Sequence, residues 1–213
     1  MPPTITIFSP GPYATNCYVL ESANHLAVID AGFEPEDMID FVRERIAKGA
    51  VLDALLLTHA HVDHIAGVAE VRRAFPGVKV LIHEAEKDWL SDARLNLSMF
   101  SGVPISTNAP DHLLKDNDSV TVGDCTFEVR HTPGHSPGSV TYYNAVNKFA
   151  FVGDALFAGS IGRTDFPGCS FERLEESIRI RLYTLPDDTR ILPGHGPATT
   201  IGREASTNPF VKR

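Results

Sequence analysis

Positive charge is the first thing this 213-residue sequence is short of. Nineteen lysines and arginines stand against 27 aspartates and glutamates, a formal net charge of -8. Non-specific grip on nucleic acid or an anionic membrane needs a basic field, so neither partner class is expected. Cysteine is scarce too. Cys17, Cys125 and Cys169 are scattered and form no C-x-x-C pair, which argues against a disulfide framework and suits a reducing, cytoplasmic setting. No run of about 20 apolar residues appears, and "MPPTITIFSPGPYATNCYVL" shows no basic region followed by an apolar core, so the reading is neither membrane-spanning nor secreted. What is present, 43% hydrophobic and 22% charged residues, is the composition of a globular protein. A single domain over residues 1–213 is the default, long enough to bury about 70% of the surface of its unfolded chain.

Short β-branched runs open the chain: "TITIF", "NCYVLE" and "HLAVIDAG", separated by turn residues as in a hairpin or meander. In "EPEDMIDFVRERIAKGA", Met38, Ile39, Val42 and Ile46 fall at helical spacing, with acids early and Arg45 and Lys48 late. "LDALLLTHA" reads as a buried strand, "IAGVAEVRRAFPG" as a helix closed by Pro76 and Gly77, and "VKVLIHE" as a strand. This alternation describes a sheet covered by helices. From about Ser91 to Asp118 the chain is polar and poorly periodic, a surface excursion able to overhang a site. Strand signals return in "SVTVGDCTFEVRHT", "GSVTYYNAV" and "KFAFVGDALF", followed by a helix around "SFERLEESIRIRLYTL" and a last strand "TRILPGH".

Directly after an apolar strand, "HAHVDH" packs three histidines and an aspartate into six residues. A bend there can aim His59 and His61 at one point and Asp63 and His64 at a neighbouring one, and imidazole nitrogen with carboxylate oxygen suits zinc, iron or manganese. Further donors stand at strand ends beside glycine or proline: His135 in "HTPGHSPGS", Asp154 in "FAFVGDAL" and His195 in "ILPGHGP". Two cations about 3.5–4 Å apart lower the pKa of water toward ~7 and polarise a carbonyl. Asp63 could then orient the nucleophile or manage its proton.

In this order, T-H-x-H-x-D-H, a P-G-H loop, a G-D strand end and a P-G-H-G turn resemble the metallo-β-lactamase fold superfamily over nearly the whole chain. The resemblance implies an α/β fold, a four-layer αββα sandwich with two divalent ions, zinc first and iron or manganese also accepted. By matching position it assigns His59, His61 and His135 to one ion, Asp63, His64 and His195 to the other, and Asp154 to both. "GDALFAGSIGRTDFPG" resembles a loop of glyoxalase II-like hydrolases and of persulfide dioxygenases, while "LPGHGPATTIGREASTNPF" is similar to small bacterial glyoxalase II-like hydrolases. That favours hydrolysis of a small thioester such as S-lactoylglutathione. The chain departs from the longer glyoxalase II enzymes in stopping soon after "NPFVKR", where they carry a helical domain that helps bind glutathione.

Arg163 is a candidate for holding an anionic substrate, against a salt bridge within its own loop; Lys115 reads as solvated. His25, His112 and His131 read as surface or loop residues, His83 as a residue able to line the site, and Cys169 as an inert thiol. The rival chemistry is a persulfide dioxygenase, with His59, His135 and Asp154 as a facial triad for one iron. A lactamase is disfavoured by the missing signal peptide, a nuclease by the acidic balance, and a metal-binding domain without turnover by the filled ligand positions. Oligomeric state leaves no trace in the sequence.

Overall fold

A computed structural model describes residues 2–213, and the chain forms two compact units. The first runs to Leu114 and takes in Thr121–Thr126. Its sheet has six strands in sequence order: β1 (Thr4–Phe8), β2 (Cys17–Ser22), β3 (His25–Ile29), β4 (Val51–Leu56), β5 (Lys79–His83) and β6 (His112–Leu114). The first three form the meander expected from their turn residues, paired antiparallel, while β3 to β6 run parallel. In β2 and β3 nearly every residue is buried, which is why these strands read as apolar runs and not as alternating ones.

Parallel strands need crossovers, and helices supply them. Helix α1 (Glu36–Ala47) joins β3 to β4, burying Met38, Ile39 and Val42. It is shorter than the sequence pattern suggests because Glu34 (φ 54°) and Gly49 (φ 98°) lie in the left-handed region at its two ends, and Ile46 stays 38% exposed. Between β4 and β5 the single helix expected from Ile65 to Gly77 is two pieces, α2 (Val62–Ile65) and α3 (Val68–Ala74). Gly67 marks the break: its N–H donates to Ala31 O at 2.8 Å, and a Cβ there would lie 2.5 Å from Gly32 O. The end of α2 and the turn into α3 are thereby held against the end of β3, where Ala31 N also donates to His64 O at 2.9 Å. The excursion after β5 consists of short 3-10 turns, and β6 at its far end joins the sheet, a three-residue strand too brief to show in the sequence.

The second unit comprises Lys115–Val120 and Phe127–Arg213. The second six-stranded sheet has the order β14-β13-β10-β9-β8-β7, from β7 (Ser119–Val122), β8 (Cys125–His131), β9 (Val140–Asn144), β10 (Phe149–Gly153), β13 (Arg190–Pro193) and β14 (Thr199–Thr200). β10 is antiparallel to β9 and parallel to β13, so the ends of β10 and β13 and the loop entering β9 share one edge. A hairpin of two-residue strands, β11 (Leu156–Phe157) and β12 (Ser160–Ile161), follows β10. Helix α4 (Phe171–Ser177) is capped by Ser170 Oγ, which accepts from Arg173 N, and relaxes into a wider π turn over Ile178–Leu182. Helix α5 (Ile201–Thr207), capped by Thr200, and the two-residue strands β11, β12 and β14 are too short for the sequence pattern to show. Leu174, Ile178, Leu182, Ile191 and Ile201 form the core of this unit. Among the described residues no helix is long and apolar enough to cross a membrane.

Candidate metal centre

In the first unit, the carboxyl ends of the parallel strands carry the polar residues. Asp30 follows β3, Thr58 and His59 follow β4, and His83 closes β5; all four are buried. Ligand sites in parallel sheets collect at this edge because crossovers leave it as the place where loops from several strands meet. Asp30 lies at φ 58°, a strained conformation for a residue with a side chain. Its carboxylate accepts from Thr58 N and Thr58 Oγ1, both at 2.7 Å, and from His64 Nδ1 at 2.8 Å. Since the Thr58 hydroxyl proton goes to Asp30, Thr58 Oγ1 accepts from His59 Nδ1 at 3.1 Å. Both rings are thus held with the proton on Nδ1, and each neutral imidazole carries its lone pair on Nε2.

The ligand turn is suspended from its surroundings by backbone groups. Ala60 N donates to Glu86 Oε2 at 2.6 Å, and Val62 N to Asn96 O at 2.9 Å. Glu86 and Asn96 are fully buried. Within the turn the His59 ring centroid lies 4.8 Å from that of His61 and 4.1 Å from that of His64, and the Trp89 ring stands 5.9 Å from His61. Asp63, less buried, accepts from Thr15 Oγ1 at 3.0 Å, and its Oδ2 is 3.5 Å from His64 Nε2. Behind the turn, Gly32 N donates to Cys17 Sγ at 3.1 Å, and burial pushes the Cys17 thiol up to about 12.

In the second unit the same logic recurs. Asp154 follows β10, His195 follows β13, and Gly194 N donates to Gly153 O at 2.8 Å, locking the two strand ends together. His135 sits in the loop between β8 and β9. Asp154 Oδ2 lies 3.6 Å from His135 Nε2 and 3.5 Å from His195 Nε2. His135 Nδ1 donates to the carbonyl of Arg163 at 2.8 Å, an acceptor only, so this ring too carries its lone pair on Nε2. Gly162 allows that approach: a Cβ on it would lie 1.9 Å from Asp154 O and 2.9 Å from His135 Nδ1.

These spacings test the donors for a metal. Three nitrogen–oxygen pairs stand at 3.5–3.6 Å. That is too long for a hydrogen bond, yet bonds of about 2.0–2.2 Å at a tetrahedral angle separate two ligand atoms by roughly 3.3–3.6 Å. In His64 and His135 the ring is also pinned at the opposite nitrogen, which completes the fit.

Of the other candidates, the Arg163 guanidinium makes two 2.7 Å bonds to Asp165 and lies over the Phe166 ring at 4.0 Å, the salt bridge within its own loop. The bond from Arg163 holds the Asp165 carboxyl below the usual range. His25 pairs with Asp53 at 2.9 Å near the surface, His112 is exposed in β6, and His131 donates from Nε2 to Pro137 O at 2.9 Å. Cys169 Sγ donates to His135 O at 2.7 Å. Sequence reasoning missed Asp30, whose signal was an acid closing the apolar run of "HLAVIDAG", and it missed Thr15, Glu86 and Asn96, whose partners lie far along the chain.

A family model described as the metallo-beta-lactamase superfamily matches residues 10–195. Among curated proteins, the chain is 42% identical to the probable metallo-hydrolase YqgX of Bacillus subtilis, over 94% of each chain. It is 36% identical to the hydroxyacylglutathione hydrolase GloC of Haemophilus influenzae, over 93% of each. Among solved structures, BLEG-1 B3 metallo-beta-lactamase superposes with a TM-score of 0.92 at 42% identity, covering 99% of this chain and all of that one. TTHA1623 in a di-iron-bound form gives 0.85 at 37%, covering 97% and 100%. The fold class is therefore the α/β type that the motif order implied, and the chain belongs to the metallo-β-lactamase superfamily.

Proposed function

We propose that the chain is a metal-dependent hydrolase of small thioesters, with a hydroxyacyl-glutathione conjugate such as S-lactoylglutathione as substrate. His59, His61 and His135 would hold one divalent ion, Asp63, His64 and His195 a second, and Asp154 would serve both; zinc, iron and manganese all accept these donors. The observation that carries the reading is the recurrence, in each unit, of imidazole Nε2 and carboxylate oxygen at ligand spacing. Bound divalent ions would supply a nucleophile at neutral pH by lowering the pKa of water, and would polarise the scissile carbonyl. Asp63 is the proton-handling group. Thr15 fixes its rotamer through Oδ2, and its side chain stays 15% exposed, accessible to a reacting water. The hydroxyacylglutathione hydrolase of Haemophilus influenzae, 36% identical, supports the substrate class. Arg163 faces solvent with Asp165, an exposed pair weakened by solvent screening, so an anionic substrate can draw the guanidinium away at small cost.

The test is release of free thiol from S-lactoylglutathione by metal-replete protein, with a chelator-treated control. Rapid metal-dependent release supports the reading; none from a protein carrying two ions per chain overturns the thioesterase assignment. A second reading, opening of a β-lactam ring, is favoured by the 42% identity to BLEG-1 B3 metallo-beta-lactamase. Turnover of a chromogenic cephalosporin with no thiol release would establish it in place of the first.

A further inference from the structure

The tail of the chain carries a buried network that the hydrolytic site does not use. Glu204, with no exposed surface, accepts at Oε2 from Gly159 N (2.8 Å) and Asn208 Nδ2 (3.0 Å), and at Oε1 from Thr199 Oγ1 (2.6 Å). Asn208, equally buried, also donates from Nδ2 to Ser160 O at 3.0 Å, while its Oδ1 accepts from Phe210 N and Val211 N. The pair therefore holds one backbone donor and one backbone acceptor at the tip of the β11–β12 hairpin.

That hairpin and the two residues after it contact each of the unit's three candidate ligand residues. It begins two residues after Asp154. The Phe157 ring meets the His195 ring edge-on, at a centroid distance of 6.0 Å. Beyond β12, Gly162 packs against Asp154 O, and Arg163 O accepts from His135 Nδ1. Two strands of two residues each cannot fix such a position unaided. Burying a carboxylate is also a poor route to stability, because an apolar side chain of similar volume serves as well or better. What a fully bonded carboxylate and amide provide is a defined geometry.

We propose that Glu204 and Asn208 are positioning residues for His135, Asp154 and His195, acting through the β11–β12 hairpin. The inference rests on the reading of those three side chains as metal ligands. It gives a physical reason for the loop after Asp154 and the "TTIGREASTNPF" tail to occur in the same chain: each is the other's binding partner.

The experiment compares wild type with Asn208→Ala, Glu204→Gln and Tyr183→Phe. Tyr183 is the control, since its hydroxyl donates to Val211 O at 2.7 Å and anchors the same tail without touching the hairpin. Three quantities are read: zinc affinity and stoichiometry by chelator competition, the visible spectrum of the cobalt-substituted protein, and amide exchange of residues 159–163 in metal-free protein. Asn208→Ala is expected to speed exchange at those amides, alter the cobalt spectrum and weaken zinc binding by about 10- to 100-fold. Glu204→Gln keeps an acceptor for Gly159 N and can donate to Thr199 Oγ1, so it folds and shows a smaller loss in the same direction. Tyr183→Phe lowers the melting temperature and leaves zinc affinity unchanged. Wild-type affinity and spectrum in Asn208→Ala overturn the proposal, and so does a loss in Tyr183→Phe that tracks its loss of stability. Should Asn208→Ala fail to fold, wild-type affinity in Glu204→Gln overturns it. Failure of the metal reading looks different: wild type itself binds no zinc, or His135→Ala binds as wild type does.

Discussion

A single carboxylate oxygen, Asp154 Oδ2, faces both His135 Nε2 and His195 Nε2. On the proposed ligand assignment Asp154→Ala therefore costs both ions, and metal analysis should show a sharp loss of content together with activity. Two tightly retained ions in that variant would refute the assignment. His25 offers the contrast. Its ring pairs with Asp53 where both are partly exposed, so His25→Ala should change stability by no more than about 0.5 kcal/mol and leave turnover as it is. The cysteines separate in the same residue-by-residue way. Cys17 is buried with a thiol pushed up to about 12, and Cys125 is buried, whereas Cys169 is partly exposed. A thiol reagent applied to native protein at pH 8 should reach only the partly exposed Cys169, and all three only after unfolding. Fast reaction at Cys17 would contradict its burial.

Between residue and whole chain, the short connecting elements hold the site's geometry. Replacing Gly162 with alanine puts a Cβ 1.9 Å from a main-chain oxygen, which cannot move as a side-chain tip can. The loop must shift, and with it the acceptor of His135. A stability loss of about 1–3 kcal/mol and weakened metal binding are expected, measurable by thermal melts and chelator competition. The C-terminal tail responds to pH. Burial raises the Tyr183 hydroxyl to about 12 from its usual 10. The folded state then binds more protons than the unfolded one between those values, so this contribution is complete below pH 10 and fades as pH rises toward 12. Denaturant melts across that range should show a steeper alkaline decline in wild type than in Tyr183→Phe.

The long elements were legible because each carries its own signal: α1 in its apolar spacing and its charged ends, and β2 and β3 in unbroken apolar runs. The seven ligand candidates were legible because glycine, proline and strand ends mark where a donor can be presented. The hairpin after Asp154 was not, since two-residue strands have no period. Nor was the Arg163 carbonyl, because a main-chain acceptor has no letter in the sequence. Glu204 and Asn208 stand within the tail motif, but their partners in the hairpin lie more than 40 residues away and only folding brings them together.

At the scale of the whole molecule, the family match over residues 10–195 spans both compact units, and the ligand candidates are divided between them, four in the first and three in the second. On the proposed ligand assignment, bound ions would stabilise the folded chain by mass action. At free metal 100-fold above the dissociation constant the gain is about 2.7 kcal/mol. For a chain of this length that corresponds to a rise in melting temperature of roughly 5–10 °C. Addition of zinc to chelator-stripped protein should move the unfolding transition to the higher temperature; an unchanged melt would count against the proposed metal binding. The bond from His135 to the carbonyl of Arg163 has a consequence for engineering. The acceptor is a main-chain carbonyl, so any residue at position 163 that keeps the backbone path can present it, while the side chain there points into solvent beside Asp165. Mutagenesis libraries at 163 and 165 should thus sample new substrate preferences without disturbing the tautomer of the histidine beneath them, leaving recognition open to change where the chemistry is fixed.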